Sequence, residues 1–272
     1  MNGCINLKEH YKVVGGKLTP YTIDCPTGDN DNWRRPAVIV VPGGGYEHVS
    51  KREGAPVACR FLARGFQSFV LEYLVTHDGV RYPEQLHELA AAVDYVKRHA
   101  DEYHINKDEI FVVGFSAGGH LTANLGVNCQ KVSATVGEKL DCKITAVGLG
   151  YPVISEQLGH TRSHENLLSG YADAEKRELK KALNLDTAVS QDTVPAFVWT
   201  TATDGSVPAV NSLKFACALA EKGIRYELHV YPDGDHGSST CDAEVNEKAN
   251  KKNAQWIENC AQFFRLFTVE KY

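Results

Sequence analysis

The chain has 272 residues, 43% of them apolar, which is enough to bury a large core without disulfide or metal staples. Its 34 acidic and 29 basic residues leave a net charge of -5 and no basic stripe, so nucleic acid is not an expected partner. No apolar run approaches the ~20 residues of a membrane span, Met1 to His10 hold no signal-peptide core, and the cysteines form no C-x-x-C; reduced thiols in a cytoplasmic protein are expected, with an extracellular disulfide framework as the alternative.

Apolar runs alternate with amphipathic stretches from end to end. Tyr11 to Asp24 reads as a hairpin with Gly15-Gly16 at its turn, and Ala37 to Val41 as a β-branched strand covered on both faces. Glu53 to Arg64 reads as a helix and Phe66 to Tyr73 as a strand. Pro83, whose missing N–H costs little there, opens a helix marked by Leu86, Leu89, Ala90, Val93, Val96 and Ala100 along one face. Strands follow at Ile110 to Val113, Ile144 to Leu149, Val194 to Thr200 and Tyr226 to Tyr231, with helices expected at Pro208 to Lys222 and Asn246 to Phe267. Between residues 151 and 193 the alternation breaks into a polar, loop-rich stretch around Ser155 to Gly170 and a charged helix near Ala174 to Leu183. That length exceeds an ordinary connection and suggests a cap or lid over a pocket, against the simpler option of a solvated excursion. The expected architecture is α/β: one domain over residues 1–272, a mostly parallel central sheet with helices on both faces, and an insertion at 151–193.

Chemistry concentrates in Gly114-Phe115-Ser116-Ala117-Gly118, a G-x-S-x-G set between the strand Ile110 to Val113 and an apolar helical pattern. Strand, tight turn and helix make the motif a nucleophile elbow, with the serine hydroxyl pushed out of the sheet. A serine hydroxyl needs a base, and the base an orienting carboxylate. Asp204 lies just past the strand ending at Thr200, and His236 lies in the loop Pro232 to Gly237 after the last strand, which makes them the candidate orienter and base. Asp233 and Asp235 compete for the carboxylate role. The negative charge of a tetrahedral intermediate also needs donors. Strand Ala37 to Val41 runs into Pro42-Gly43-Gly44-Gly45-Tyr46, so the N–H groups of Gly44 and Gly45, with that of Ala117, are the candidate oxyanion hole.

Eleven histidines dilute any single assignment. His10, His77, His87, His99, His104, His160 and His164 read as surface residues, His229 as structural, His48 as a neighbour of the glycine loop, and His120 as a group packed beneath the elbow. Neither G-x-x-x-x-G-K-[ST] nor H-E-x-x-H occurs, so neither a phosphate loop nor a metal site is expected, and no cofactor is needed. Tyr46, Tyr73, Tyr151 and Trp199 are candidates to line a sugar pocket, or equally to fill core space.

The stretches Arg35 to Tyr46, Gly114 to Leu121, Glu165 to Gly170, Pro195 to Ala202, Asp204 through Val207-Pro208 to Leu213, and Glu227 to Gly237 carry a resemblance over about Tyr21 to His236. With them the chain resembles the esterase/lipase group of the α/β-hydrolase superfamily, and within it the bacterial carbohydrate-esterase-like branch of acetyl-xylan and feruloyl esterases. The resemblance implies hydrolysis of short acyl esters, acetyl foremost, on sugars or xylo-oligosaccharides. Two positions depart from it: Pro42 stands where lipase-type relatives often carry His, leaving the glycine loop differently anchored, and Thr200 stands where this branch often has His. No motif supports feruloyl specificity. A peptidase, amidase or formamidase on the same scaffold is the alternative, and a non-enzymatic ligand-binding relative a second. Association into homodimers is left open.

Overall fold

Successive side chains of a strand point to opposite faces, so an uninterrupted apolar run is stable only with cover on both sides. The computed structural model describes residues 3–26, 28, 32–245 and 250–269. In chain order the elements are β1 (Ile5–Asn6), β2 (Lys17–Tyr21), β3 (Arg35–Val41), α1 (Ala55–Leu62), β4 (Gln67–Glu72), α2 (Glu84–Arg98), β5 (Ile105–Phe115), α3 (Ser116–Thr135) and β6 (Ala146–Gly150). Three short helices follow, α4 (Arg162–Leu167), α5 (Asp173–Ala182) and α6 (Leu185–Ala188), then β7 (Ala196–Thr201), α7 (Val210–Glu221), β8 (Tyr226–Tyr231) and α8 (Trp256–Arg265).

The strands form an eight-stranded sheet in the order β1-β2-β4-β3-β5-β6-β7-β8. β2 runs antiparallel to β1 and β4, and the rest of the sheet is parallel. This is the α/β-hydrolase fold. Alternation along β3 and β5 divides the core in two. Val38, Val40, Phe111, Val113 and Phe115 face α1 and α8, where Phe111 stacks on Phe264 at 4.4 Å. Ile39, Val41 and Val112 face the opposite layer, which includes Leu89 and Val93 of α2, Leu121 and Leu125 of α3, and Phe215 and Leu219 of α7. Each such side chain, fully buried, contributes about 1.5–3 kcal/mol, so the sheet is a rigid platform. Its register sets Val41 beside Gly114, Phe115 beside Gly150, and Thr201 beside Tyr231. The carboxyl ends of five strands therefore meet at one rim, where open α/β sheets place their ligands.

The expected N-terminal hairpin shifts. β2 pairs with β1 and β4, and Tyr11 to Val14 is not a strand. Tyr11 instead turns onto α2, where its hydroxyl donates to Asp94 at 2.8 Å, and Gly16, with φ 86°, closes the turn by accepting from the Leu7 N–H. The helix expected from Glu53 starts two residues later. Lys51–Glu53 is a separate 3-10 turn, broken from α1 at Gly54, and it tucks Glu53 inward. β5 extends beyond Ile110 to Val113 at both ends, and its Lys107 and Asp108 are solvent-exposed. The last helix begins at Trp256 after a 3-10 turn at Asn253–Gln255; residues 246–249 of the expected helix lie outside the described residues.

Residues 151–193 leave the sheet at β6 and return at β7. The stretch expected to be loop-rich contains α4, which docks through buried Leu167 and Leu168, whereas the charged α5 buries no residue. No helix of the described residues is long and apolar enough to cross a membrane.

Candidate active site

Ser116 is the first residue of α3, directly after the last residue of β5, and its φ of 52° is a left-handed value that a non-glycine residue rarely holds. The glycines around it answer to space. A Cβ on Gly114 would lie 2.2 Å from Thr122 Oγ1, and one on Gly118 would lie 2.2 Å from the Pro42 carbonyl oxygen. The bend thus packs backbone against backbone, and the strain at Ser116 is sustained by that packing.

His236 meets Ser116 from the other side of the rim, with Nε2 2.8 Å from Oγ. Its Nδ1 lies 2.7 Å from Asp204 Oδ2. The other carboxylate oxygen, Oδ1, accepts from the Ser206 and Val207 N–H groups, each at 2.9 Å. Asp204 is thereby an acceptor on both oxygens, so the proton of a neutral His236 belongs on Nδ1 and Nε2 faces Ser116 with its lone pair. Asp204, rather than Asp233 or Asp235, meets the imidazole. The histidine loop is tied back to the end of β7 by Thr201 Oγ1, which donates to the Gly234 carbonyl at 2.7 Å. Tyr151 lies edge-on to the imidazole, ring centres 4.9 Å apart. The three side chains expected from the sequence to work together do lie within hydrogen-bonding distance.

The glycine loop is pinned peptide by peptide. The Pro42–Gly43 unit is held at both ends: Tyr73 OH donates to the Pro42 carbonyl at 2.9 Å, and the Gly43 N–H donates to Glu53 Oε2 at 2.8 Å. The Gly43 carbonyl accepts from the Ser50 N–H, and the Gly44 carbonyl from the Glu47 and His48 N–H groups. In a trans peptide the N–H points away from its carbonyl, so these bonds turn the Gly44 and Gly45 N–H groups the other way. Neither of these two N–H groups donates to any described residue, and both glycines line the cavity in front of Ser116. Gly44 has φ 124° and Gly45 φ 64°, and a Cβ on Gly44 would lie 2.0 Å from the His48 carbonyl oxygen. Ala117, second in α3, belongs to the first turn, whose N–H groups have no acceptor within the helix.

The cavity has a volume of about 250 Å³. It is lined by polar and charged side chains and glycines, with Arg52, His48, His160 and Arg162 around Ser116 and His236. Arg162 of α4 pairs with Glu47 at 2.5 Å, and Asn166 Nδ2 donates to the Gly45 carbonyl at 2.8 Å, so residues from the 151–193 segment reach the glycine loop.

Four aromatic candidates for the pocket wall are corrected. Tyr46, Tyr73, Tyr151 and Trp199 are all buried, no more than 2% exposed, and none lines the cavity. Each is held inward by a partner: Tyr46 OH bonds to His120 Nδ1 at 2.8 Å, Tyr73 to Pro42, Tyr151 OH to Glu53 Oε1 at 2.7 Å, and Trp199 stacks on Trp256. Among the histidines read as surface residues, His87 and His164 are buried and His160 lines the cavity. His160 is clamped between the Ser206 carbonyl and Ser163 Oγ, both at 2.9 Å, and burial lowers its pKa. His120 and His164 both approach the Leu183 carbonyl, and burial pushes them down to about 3 and about 4. Glu53, 2% exposed, was missed altogether, because its position at the head of an amphipathic run reads as a solvent-facing helix start. No group of three or more metal-binding side chains occurs among the described residues.

Residues 23–219 match the family model BD-FAE. Endo-1,4-beta-xylanase B of Butyrivibrio fibrisolvens is 34% identical over 220 residues, covering 79% of this chain and 34% of that protein. Acetylxylan esterase of Xylanibacter ruminicola is 31% identical over 220 residues, covering 78% of this chain and 42% of that protein. The chain thus spans between a third and a half of the length of these curated relatives. Among solved structures, an acetyl ester-xyloside bifunctional hydrolase from Caldicellulosiruptor lactoaceticus superposes with a TM-score of 0.82 at 31% identity, covering 97% of this chain and 96% of that one. A carboxylesterase from Lactobacillus plantarum superposes with a TM-score of 0.83 at 27% identity, with the same coverage.

Proposed function

The chain belongs to the BD-FAE family, and from that premise we propose that it is a serine carboxylic-ester hydrolase acting on short acyl esters, acetyl esters foremost, carried by sugars or xylo-oligosaccharides. One observation carries the reading: the continuous Ser116–His236–Asp204 hydrogen-bond chain at the carboxyl rim of the sheet. Ser116 Oγ attacks the ester carbonyl while His236 Nε2 takes its proton. The imidazolium, held by Asp204, returns that proton to the leaving alcohol, and water then releases the acid by the reverse sequence. The N–H groups of Gly44, Gly45 and Ala117 receive the charge on the tetrahedral oxygen. Residues 1–272 act as one domain in which 151–193 is a cap, supported by the reach of Arg162 and Asn166 to the glycine loop.

The substrate class draws on two supports. The cavity is small and lined by polar and charged residues and glycines, which suits an acetyl group on a hydroxylated alcohol better than a long acyl chain. Relatives bear the names acetylxylan esterase and acetyl ester-xyloside hydrolase. The test is a panel of acetylated xylo-oligosaccharides, p-nitrophenyl acetate and an aryl formamide, run on the wild type and on Ser116→Ala. Ester turnover that Ser116→Ala abolishes, with a fluorophosphonate labelling the wild type alone, is expected. Turnover of the amide in preference to the esters would shift the reading to an amidase.

A further inference from the structure

We propose that Glu53 is a positioning residue, one that sets the direction of the oxyanion donors and ties the glycine loop to the loop carrying His236; the proposal rests on the esterase reading above. A carboxylate removed from water is costly unless each oxygen is paired, and a negative charge near a developing oxyanion opposes it. Glu53 is nevertheless buried beside Ser116: a Cβ built on Gly43 would lie 3.0 Å from Glu53 Oε2 and 2.9 Å from Ser116 Cβ. Both its oxygens are used, and by different parts of the site.

Oε2 holds the Gly43 N–H while Tyr73 holds the carbonyl of the same peptide unit, so that plane is clamped from both edges. The next two peptides carry the Gly44 and Gly45 N–H groups and are held at their carbonyls by the Ser50, Glu47 and His48 N–H groups, while glycine gives their torsions no side-chain restraint of their own. Loss of the clamp on Gly43 shifts the plane from which both follow and leaves their direction to those backbone bonds alone. Oε1 holds Tyr151 OH, which in turn accepts from the Ser239 N–H at 2.9 Å. Ser239 lies three residues after His236, and its Oγ donates back to the Arg52 carbonyl at 2.6 Å, next to Glu53 in sequence. The carboxylate thus joins the loop after β3, the end of β6 and the histidine loop.

Donor and acceptor counting makes Glu53→Gln a sharp perturbation. An amide has one acceptor oxygen, and Glu53 faces two donors, Gly43 N–H and Tyr151 O–H. Either the NH₂ is set against the Gly43 N–H, donor against donor, or it is set against Tyr151 OH, which then accepts and leaves its own proton without that partner. Direct removal of an oxyanion donor costs about 10²–10³ in kcat, so misdirecting donors that remain in place is expected to cost about 10- to 100-fold. The experiment measures kcat and KM for p-nitrophenyl acetate and inhibition by phenylboronic acid, whose serine adduct carries the tetrahedral charge. The proteins are wild type, Glu53→Gln, Tyr151→Phe and the double variant, assayed well below their melting temperatures. The proposal expects kcat and boronate affinity to fall in parallel in Glu53→Gln, KM to stay within about threefold, and the two single effects to be non-additive. Unchanged kcat and boronate affinity in Glu53→Gln, with only the melting temperature lowered, would overturn it. If Glu53→Gln does not fold, Tyr73→Phe and Tyr151→Phe, which loosen the same clamp, are read by the same criteria. Ser116→Ala separates the two levels: activity surviving in Ser116→Ala sinks the esterase reading itself, whereas its loss beside a fully active Glu53→Gln sinks only the positioning role.

Discussion

Replacing Asp204 by Asn isolates one proton. The carboxylate's Oδ1 holds the Ser206 and Val207 N–H groups, and Oδ2 holds His236 Nδ1. In Asp204→Asn the amide oxygen keeps the two backbone donors, so the NH₂ is turned toward His236. Two donors cannot face each other, and the imidazole answers by moving its proton to Nε2, where it can no longer take one from Ser116. The loss of a correctly protonated base is worth about 10⁴ in kcat. That corresponds to roughly 5 kcal/mol of barrier, while the fold keeps its turn bonds. Asp204→Ala differs in stability: it orphans two N–H groups, one of them the buried Val207 N–H, at a cost of about 1–3 kcal/mol. The assay is kcat/KM for p-nitrophenyl acetate beside urea unfolding of the wild type and both variants. Asp204→Asn retaining activity within tenfold of wild type, or proving as unstable as Asp204→Ala, would refute the reasoning.

Stability should peak near neutrality. His120 and His164 are held at about 3 and about 4 against an ordinary 6.5, so the unfolded chain binds more protons below 6.5 and their contribution is lost as pH falls. Burial raises Glu88 to about 8 from 4.5, so the folded state keeps that proton longer and stability is lost as pH rises toward 8. Two histidines outweigh one glutamate between 4.5 and 6.5, which places the maximum near pH 6.5; urea midpoints from pH 5 to 9 test it, and a monotonic rise would contradict the Glu88 assignment. Gly118→Ala should destabilise by at least ~2 kcal/mol, because the new Cβ meets the backbone at the end of β3, while Gly205→Ala, with open space around it, should be neutral; equal unfolding midpoints would argue against the close approach at the elbow.

Several features were legible along the chain because they are local. Strand Tyr226 to Tyr231 begins and ends where its apolar and β-branched pattern does, and a mostly parallel sheet follows from alternating strands and helices, although the strand order does not. Ser116 announces itself through neighbours on either side, since the glycines that clear the bend lie within two residues of it. Errors arose where a distant group decided. Tyr11 left its expected strand for Asp94, 83 residues away, and Tyr151 turned from the pocket to Glu53, 98 residues away. Glu53 itself could not be read, since a charged residue before an apolar run has the same local pattern whether it faces water or a buried N–H.

Sequence alone determined the layered α/β architecture, the elbow, and the order in which a hydroxyl, a carboxylate and an imidazole follow along the chain, because hydrophobic period and turn chemistry act between near neighbours. Tertiary structure alone decided which aspartate meets His236, that the tyrosines brace the site from behind, and that a carboxylate fastens the glycine loop. Those outcomes depend on sheet register and on where crossovers return the chain, and they are settled by the need of every buried polar group for a partner, a requirement with no fixed spacing in the sequence.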